Sequence, residues 1–206
     1  MFISFEGGDG VGKTTHVFSL FQTIKKRYPV IMTREPGGCN LVKSIKQILI
    51  NTHNKIDFVT ESLLYAADRT EHLQQVIKPA LSDNNIVICD RYLDSSFVYQ
   101  GYLRKLGIKF IRQINYLAYK LLPDITFYLD LEPEIILKRL YARSKSKLEG
   151  FDAQKIFWHQ QIRDGYLKLC HLYPKRIFKI NTNNLSFEEV HIIILNKLRE
   201  LFRLNI

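Results

Sequence analysis

Along this chain, short apolar runs alternate with segments whose apolar residues recur every three or four positions. The runs at 2–5 (FISF), 30–32 (VIM), 86–89 (IVIC), 125–129 (ITFYL) and 177–180 (IFKI) are rich in β-branched and aromatic side chains, the composition of strands. Most are nearly unbroken, which predicts parallel strands covered on both faces. Between them, Val17, Leu20, Phe21 and Ile24 keep the i, i+3, i+4, i+7 spacing of one helix face. The last helix is expected to open on a capping box, Ser186 with Glu189, and a staple between Leu185 and Val190. Strand and helix alternate from end to end, so the fold class is α/β. The expected architecture is a three-layer α/β/α sandwich with right-handed crossovers and ligands at the carboxyl ends of its strands.

No repeat, low-complexity tract or Pro/Gly/Ser linker divides the 206 residues, and one domain is expected. A chain of this length buries roughly 70% of its unfolded surface, so it needs no disulfide or metal staple. Helices are expected at about 133–142 and 152–173. The stretch RSKSKLEG between them reads as a loop or lid at about 143–151.

Composition narrows the setting. Cys39, Cys89 and Cys170 are far apart and form no CxxC, which suits a reducing compartment. No window approaches the roughly 18 apolar residues of a membrane helix, and the first residues have neither a basic n-region nor a long apolar h-region. A cytoplasmic protein with no membrane partner is expected. The net charge of +10 would suit nucleic acid, an anionic surface or a phosphorylated small molecule. Because the basic residues are dispersed, with no run longer than Lys25-Lys26-Arg27, no nucleic-acid partner is expected.

Chemistry enters directly after the first strand. GGDGVGKT at 7–14 fits G-x-x-x-x-G-K-[ST], with strand before and helix after. Glycines let the backbone wrap a phosphate so that N–H groups and a helix N-terminus point at it. Lys13 would reach the β- and γ-phosphates and the Thr14 hydroxyl would ligate Mg²⁺. In VICDRY, Asp90 and Arg91 follow a buried strand, where an aspartate can hold Mg²⁺ and an arginine can neutralise phosphoryl oxygens. In TREPGG, Arg34 offers a fork suited to phosphate and Pro36-Gly37-Gly38 a tight turn. Lys13, Arg34 and Arg91 all follow strands and are expected to face one cleft. NKID at 54–57 has the form of a guanine-specificity motif. It sits between two helices without a D-x-x-G partner, which favours a solvated loop.

EGGDGVGKT, REPGG, LLYAADRTEH and DRYLDSSFVYQG, in this order and spacing, resemble bacterial thymidylate kinases. The resemblance runs from Phe2 through the lid, and HQQIRDGYLKL and the strand ending at Asn181 also fit. It implies a P-loop NTPase fold with a five-stranded parallel sheet, a homodimer, and the reaction of ATP with dTMP to give ADP and dTDP with Mg²⁺. By this resemblance, Gly7, Gly8, Asp9, Gly10, Val11, Gly12, Lys13, Thr14 and Thr15 would hold ATP, and Thr14 and Asp90 the metal. Asp9 would face the acceptor's 3′-hydroxyl region. Arg34 and Arg91 would grip the acceptor phosphate, Arg69 would bond the thymine edge, and Tyr65 would pack on the base. Ser96 would lie near N3, Gln100 within the acceptor site, and Tyr99 against the sugar where a 2′-hydroxyl would project. Residue type alone would instead put Tyr65 in the core and Arg69 on the surface. On a helix, Tyr65, Ala66 and Arg69 share one face, so ring and guanidinium can converge.

Two departures bear on detail: Tyr65 where the family commonly has Phe, and Cys39 where it has Thr. A third is Lys147-Leu148 in place of the lid's Asp-Arg pair. Arg139, Arg143, Lys145 and Lys147 are the available lid cations, and Arg143 is expected to close over the transferring group. Another nucleoside monophosphate kinase, a GTP-dependent switch protein and a nucleic-acid module are the competing functions.

Overall fold

The computed structural model describes residues 1–51, 56–144, 153–204 and 206, with backbone alone at 143, 144 and 153. Five strands form where the apolar runs lie, each continuing one or two residues past the expected end: β1 Phe2–Glu6, β2 Val30–Arg34, β3 Ile86–Asp90, β4 Ile125–Asp130 and β5 Ile177–Asn181. Those extra residues carry Glu6, Arg34, Asp90 and Asp130 to the carboxyl end of the sheet. All pairings are parallel, in the order β2-β3-β1-β4-β5. Cover on both faces holds for the three central strands. On the edges it does not: Met32 of β2 is 44% exposed and Lys179 of β5 faces solvent.

The helices sort themselves by the face their apolar stripes meet. Residues alternate across a strand, so Phe2 enters one core layer while Ile3 and Phe5 enter the other. The second layer is closed by α1 (Lys13–Ile24), α8 (Pro133–Ser144) and α10 (Phe187–Phe202). In α1 the expected stripe is real: Val17, Leu20 and Ile24 are fully buried, each contributing about 1.5–3 kcal/mol by area. Ser186 caps α10, its Oγ accepting from the Glu189 N–H at 3.2 Å while its own N–H donates to Glu189 Oε2 at 2.7 Å. Leu185 and Val190 enter the same core layer, as the staple requires.

The first layer is closed by α3 (Phe58–His72), which continues through a π turn (Leu73–Ile77) into α4 (Lys78–Ser82), and by α9 (Ala153–Leu172). With them pack α5 (Leu93–Ser96), a second π segment (Phe97–Leu103), α6 (Ile108–Ile114) and α7 (Tyr116–Tyr119). The α2 helix (Lys43–Asn51) lies against α3.

Helix α8 runs to Ser144, two residues past the expected 142, since Arg143 and Ser144 bring neither Gly nor Pro to stop it. The remainder of the expected lid, with Lys145, Lys147 and Leu148, lies outside the described residues, as do Asn54 and Lys55 of NKID. Asp57 of that motif serves the fold instead. Its carboxylate caps α3, accepting from the Val59 and Thr60 N–H groups at 2.8 and 3.3 Å.

Candidate active site

Between β1 and α1 the chain turns on glycines: Gly7, Gly10 and Gly12 have φ of 141°, 82° and 97°. Gly12 is the N-cap of α1 in the left-handed region and offers no side-chain cap, so the helix's first N–H groups remain for a ligand. Val11 is 2% exposed and anchors the loop in the core. Lys13 folds back inside it, its Nζ donating to the Gly8 carbonyl at 2.6 Å. Burial, with Arg91 near, lowers its pKa to about 7. Thr14 Oγ1 donates to Asp90 Oδ2 at 2.5 Å, so the hydroxyl and carboxylate expected at the metal stand together. Gly10, Gly12, Lys13, Thr14, Thr15 and Asp90 line a cavity of about 670 Å³, closed on its other side by Arg139, Leu140 and His159.

A second cavity of about 250 Å³ opens beside the first and shares Asp9, Arg91 and Trp158 with it. Its wall brings together Tyr65, Arg69, Arg91, Ser96, Tyr99 and Gln100. Arg69 is 2% exposed, against the expectation from residue type. A buried guanidinium needs its protons claimed, and four of the five are. Nε donates to Glu35 Oε2 at 2.7 Å, Nη1 to Ser96 Oγ at 2.9 Å and Asn115 Oδ1 at 2.7 Å, and Nη2 to the Tyr92 carbonyl at 3.3 Å. Among the described residues no acceptor claims the fifth. Glu35 is also bonded to His72 Nδ1 at 3.0 Å, and the Asp68 carboxylate accepts the Gly37 N–H at 2.8 Å, so the REPGG turn is tied to α3 at two points.

Arg91 stands where the cavities meet. It has a φ of 71°, a left-handed conformation that costs a non-glycine residue about 1–3 kcal/mol and turns its side chain off the end of β3. Nη2 donates to Asp9 Oδ1 at 2.6 Å, and the guanidinium lies 5.4 Å from the Tyr99 ring centre. Nη1 donates to Ser95 Oγ at 3.2 Å and Tyr166 Oη at 3.5 Å. Both hydroxyls in turn donate to Glu6 Oε2, at 2.6 and 2.8 Å. Glu6 is fully buried, and burial together with Asp94 raises its pKa to about 7.

Lys13 and Arg91 thus face one cleft. Arg34 stands exposed at the end of β2, outside the walls of both cavities. The side chain of Arg143 lies outside the described residues, whereas Arg139, one turn earlier on α8, is in the wall of the larger cavity. Residue reasoning missed Glu35, Glu61, Arg104, Asn115 and Trp158. Glu61 carried a signal, four residues before Tyr65 on the same helix face. Asn115 carried none, since only the packing of α6 brings it to Arg69.

Comparison with known proteins agrees with this geometry. The model of the family described as thymidylate kinase matches residues 5–194. The thymidylate kinase of Aster yellows witches'-broom phytoplasma (strain AYWB) is 48% identical over the full length of both chains. That of Acholeplasma laidlawii (strain PG-8A) is 40% identical over 96% of this chain and 98% of its own. The crystal structure of thymidylate kinase from Ehrlichia chaffeensis superposes with a TM-score of 0.78 at 33% identity, covering 97% of this chain and 98% of that one. A nucleotide-loop cavity and a buried arginine cavity meeting at Arg91, on a chain matched along its length, have one explanation: the chain belongs to the thymidylate kinase family.

Proposed function

We propose that this protein transfers the γ-phosphoryl group of ATP to dTMP, giving ADP and dTDP. The observation that carries the assignment is the pair of cavities sharing Asp9, Arg91 and Trp158, one built on GGDGVGKT and the other on Arg69. A donor and an acceptor bound side by side meet at a cation, which is what phosphoryl transfer between two anions requires. A phosphate oxygen of dTMP forms a bond to the γ-phosphorus, and the bond to the β–γ bridging oxygen breaks, leaving that oxygen on ADP.

Lys13 neutralises donor phosphates from inside the loop while the free N–H groups of Gly12 and α1 bind them. Arg91 orients the acceptor phosphate, with Arg34 at the rim as a second cation, and Arg139 of α8 covers the donor side. Tyr65 packs on the base, and the unclaimed Arg69 proton reads its edge. Tyr99, its ring held against the Arg91 guanidinium, fills the space beside the sugar. Thr14 and Asp90 fit Mg²⁺. They are two hard oxygen donors at one point of the cavity, and this ion takes few protein ligands when phosphates and waters supply the rest. Bound there, it would offset charge on the donor phosphates.

A homodimer in a reducing, cytoplasmic setting completes the assignment. Large apolar side chains stay exposed on α3 (Leu63, 48%) and α7 (Tyr116, 56%), and the two helices pack together. No helix among the described residues is long and apolar enough to cross a membrane. Sedimentation velocity at micromolar concentration tests the dimer; a monomer refutes it.

The assay that tests the activity follows ADP formation from ATP and Mg²⁺ with dTMP, dUMP, UMP, CMP, AMP or deoxythymidine, with GTP as alternative donor and a control without acceptor. Turnover is expected on dTMP above all others. Preference for a different monophosphate would overturn the base assignment, and GTP hydrolysis without acceptor would overturn the kinase.

A further inference from the structure

We infer that Glu61 sets the hydrogen-bonding polarity of the acceptor pocket. It holds the Gln100 amide so that the carbonyl oxygen is left for the base, and the pocket therefore takes pyrimidines with a proton on N3 and rejects those without one. The inference rests on the assignment of this cavity to the dTMP base.

Glu61 is 7% exposed and Gln100 4%, and both line the smaller cavity. Glu61 Oε1 accepts from Gln100 Nε2 at 2.9 Å, while Glu61 Oε2 accepts from Arg104 Nη2 at 3.3 Å. The Arg104 guanidinium lies 4.2 Å from the Phe58 ring centre and 5.8 Å from that of Trp158, so aromatic rings on two helices hold the cation that anchors the carboxylate.

A carboxylate only accepts, so a flipped Gln100 amide would set its Oε1 against Glu61 Oε1 with no proton between them. At this burial such a contact costs both the lost bond and the desolvation of two acceptors. One amide orientation survives. Gln100 sits in the π segment Phe97–Leu103, an irregular backbone stretch packed against α9, and the carboxylate supplies the side-chain restraint that the backbone does not.

The neighbouring groups do not fix an acceptor there. Arg69 has only donors, and the Ser96 hydroxyl, with one lone pair taken by Arg69 Nη1, can still either donate or accept. A pyrimidine with a 4-oxo group and an N3 proton offers acceptor then donor, matched by the spare Arg69 proton and Gln100 Oε1. Cytosine offers donor then acceptor at those positions and meets like groups at both. Sites built to hydrogen-bond a ligand reject mismatched analogues strongly, because the site's own buried groups are left unpaired.

The test is Glu61→Gln, which keeps shape but allows either amide orientation at Gln100. Values of kcat/KM are measured for dTMP, dUMP, dCMP and the 5′-monophosphate of 2′-deoxyzebularine, which lacks the 4-substituent and so isolates N3. The dTMP to dUMP ratio should stay within about twofold, while discrimination against dCMP and the zebularine nucleotide should fall at least about tenfold, the size of one lost buried hydrogen bond. An equal fall for all four would make Glu61 a packing residue and overturn the inference. Gln100→Ala in the same panel separates the two levels. If dTMP KM and selectivity survive that change, the base is not at Gln100 and the acceptor assignment fails with the inference. If only Glu61→Gln leaves selectivity unmoved, the inference fails alone. Should Glu61→Gln not fold, NMR of the wild-type dTMP complex decides: Gln100 side-chain amide protons close to the Glu61 γ-protons are expected, and the same protons against the thymine ring would refute it.

Discussion

Replacing Arg69 by alanine should damage stability and acceptor binding separately. The side chain is 2% exposed and makes four hydrogen bonds, to Glu35, Ser96, Asn115 and the Tyr92 carbonyl. Truncation strands Glu35, whose side chain is 3% exposed, with His72 Nδ1 at 3.0 Å as its remaining side-chain partner. Removing one member of a buried ion pair costs about 3–5 kcal/mol. At about 2–4 °C per kcal/mol for a chain of this size, Tm should fall by roughly 6–20 °C. Thermal unfolding followed by circular dichroism gives that number. Calorimetric titration well below the variant's Tm then gives ligand affinity, expected to drop at least about tenfold for dTMP and less than about twofold for ATP. Arg69→Lys should fall between, since an ammonium keeps the charge but lacks the planar fork that spans Glu35 and Asn115. A Tm loss under about 2 °C would refute the buried network, and equal losses for both nucleotides would refute a role at the base edge.

Three more outcomes follow from charge and close contact. Lys13, its pKa lowered to about 7 by burial, should take up a proton when ATP phosphates reach it. Calorimetry at pH 8 in buffers of differing ionisation enthalpy should show uptake of up to one proton, absent in a folded Lys13→Ala variant, whose kcat should fall at least about a thousandfold. Glu6 has a folded pKa raised to about 7 from an unfolded 4.5, so the native state binds the extra proton between those values and its contribution is lost as pH rises. The slope is about 1.4 kcal/mol per pH unit, and the difference between wild type and Glu6→Gln in urea melts at pH 5 and pH 7.5 should reveal it. Gly38→Ala would drive a methyl into the His72 ring and place it 2.6 Å from the Arg34 carbonyl. A stability loss of about 1–3 kcal/mol in urea and a higher KM for dTMP should result, because His72 supports Glu35 and Glu35 holds Arg69.

What the sequence disclosed and what it hid differ in range. Strands, the α1 stripe and the Ser186 cap rest on periodicity and neighbours within four residues, so local pattern sufficed. The phosphate loop was legible because its glycines, Lys13 and Thr14 act through their own backbone within one turn. The acceptor pocket was partly legible by resemblance, but its electrostatics were not. Arg69 looked like a surface residue because its partners are 23 to 46 residues away, on three different segments. Nor could residue type show Arg34 standing exposed while Arg91, with the same side chain after a neighbouring strand, turns inward. Arg34 is the last residue of an edge strand, whereas Arg91 lies just past a central strand with a left-handed φ of 71°.

Arg91 can serve two anions because, among the described residues, no buried carboxylate bonds its guanidinium directly. Before ligands bind, Asp9 pairs with Arg91 at 2.6 Å, but its side chain is 76% exposed. Released from Arg91, the Asp9 carboxylate can turn into water, so an incoming phosphate can displace it. The carboxylate that cannot leave is Glu6. It is fully buried and reaches Arg91 only through the hydroxyls of Ser95 and Tyr166, which accept from the guanidinium and donate to Glu6. Its two oxygens are held in place by donors on every side, the Tyr92 and Ser95 N–H groups and the Ser95 and Tyr166 hydroxyls. Arg91 is therefore pinned from behind by oriented hydroxyls and faced in front by a replaceable ion. Its guanidinium stands in the walls of both cavities, at the point where donor and acceptor phosphates meet.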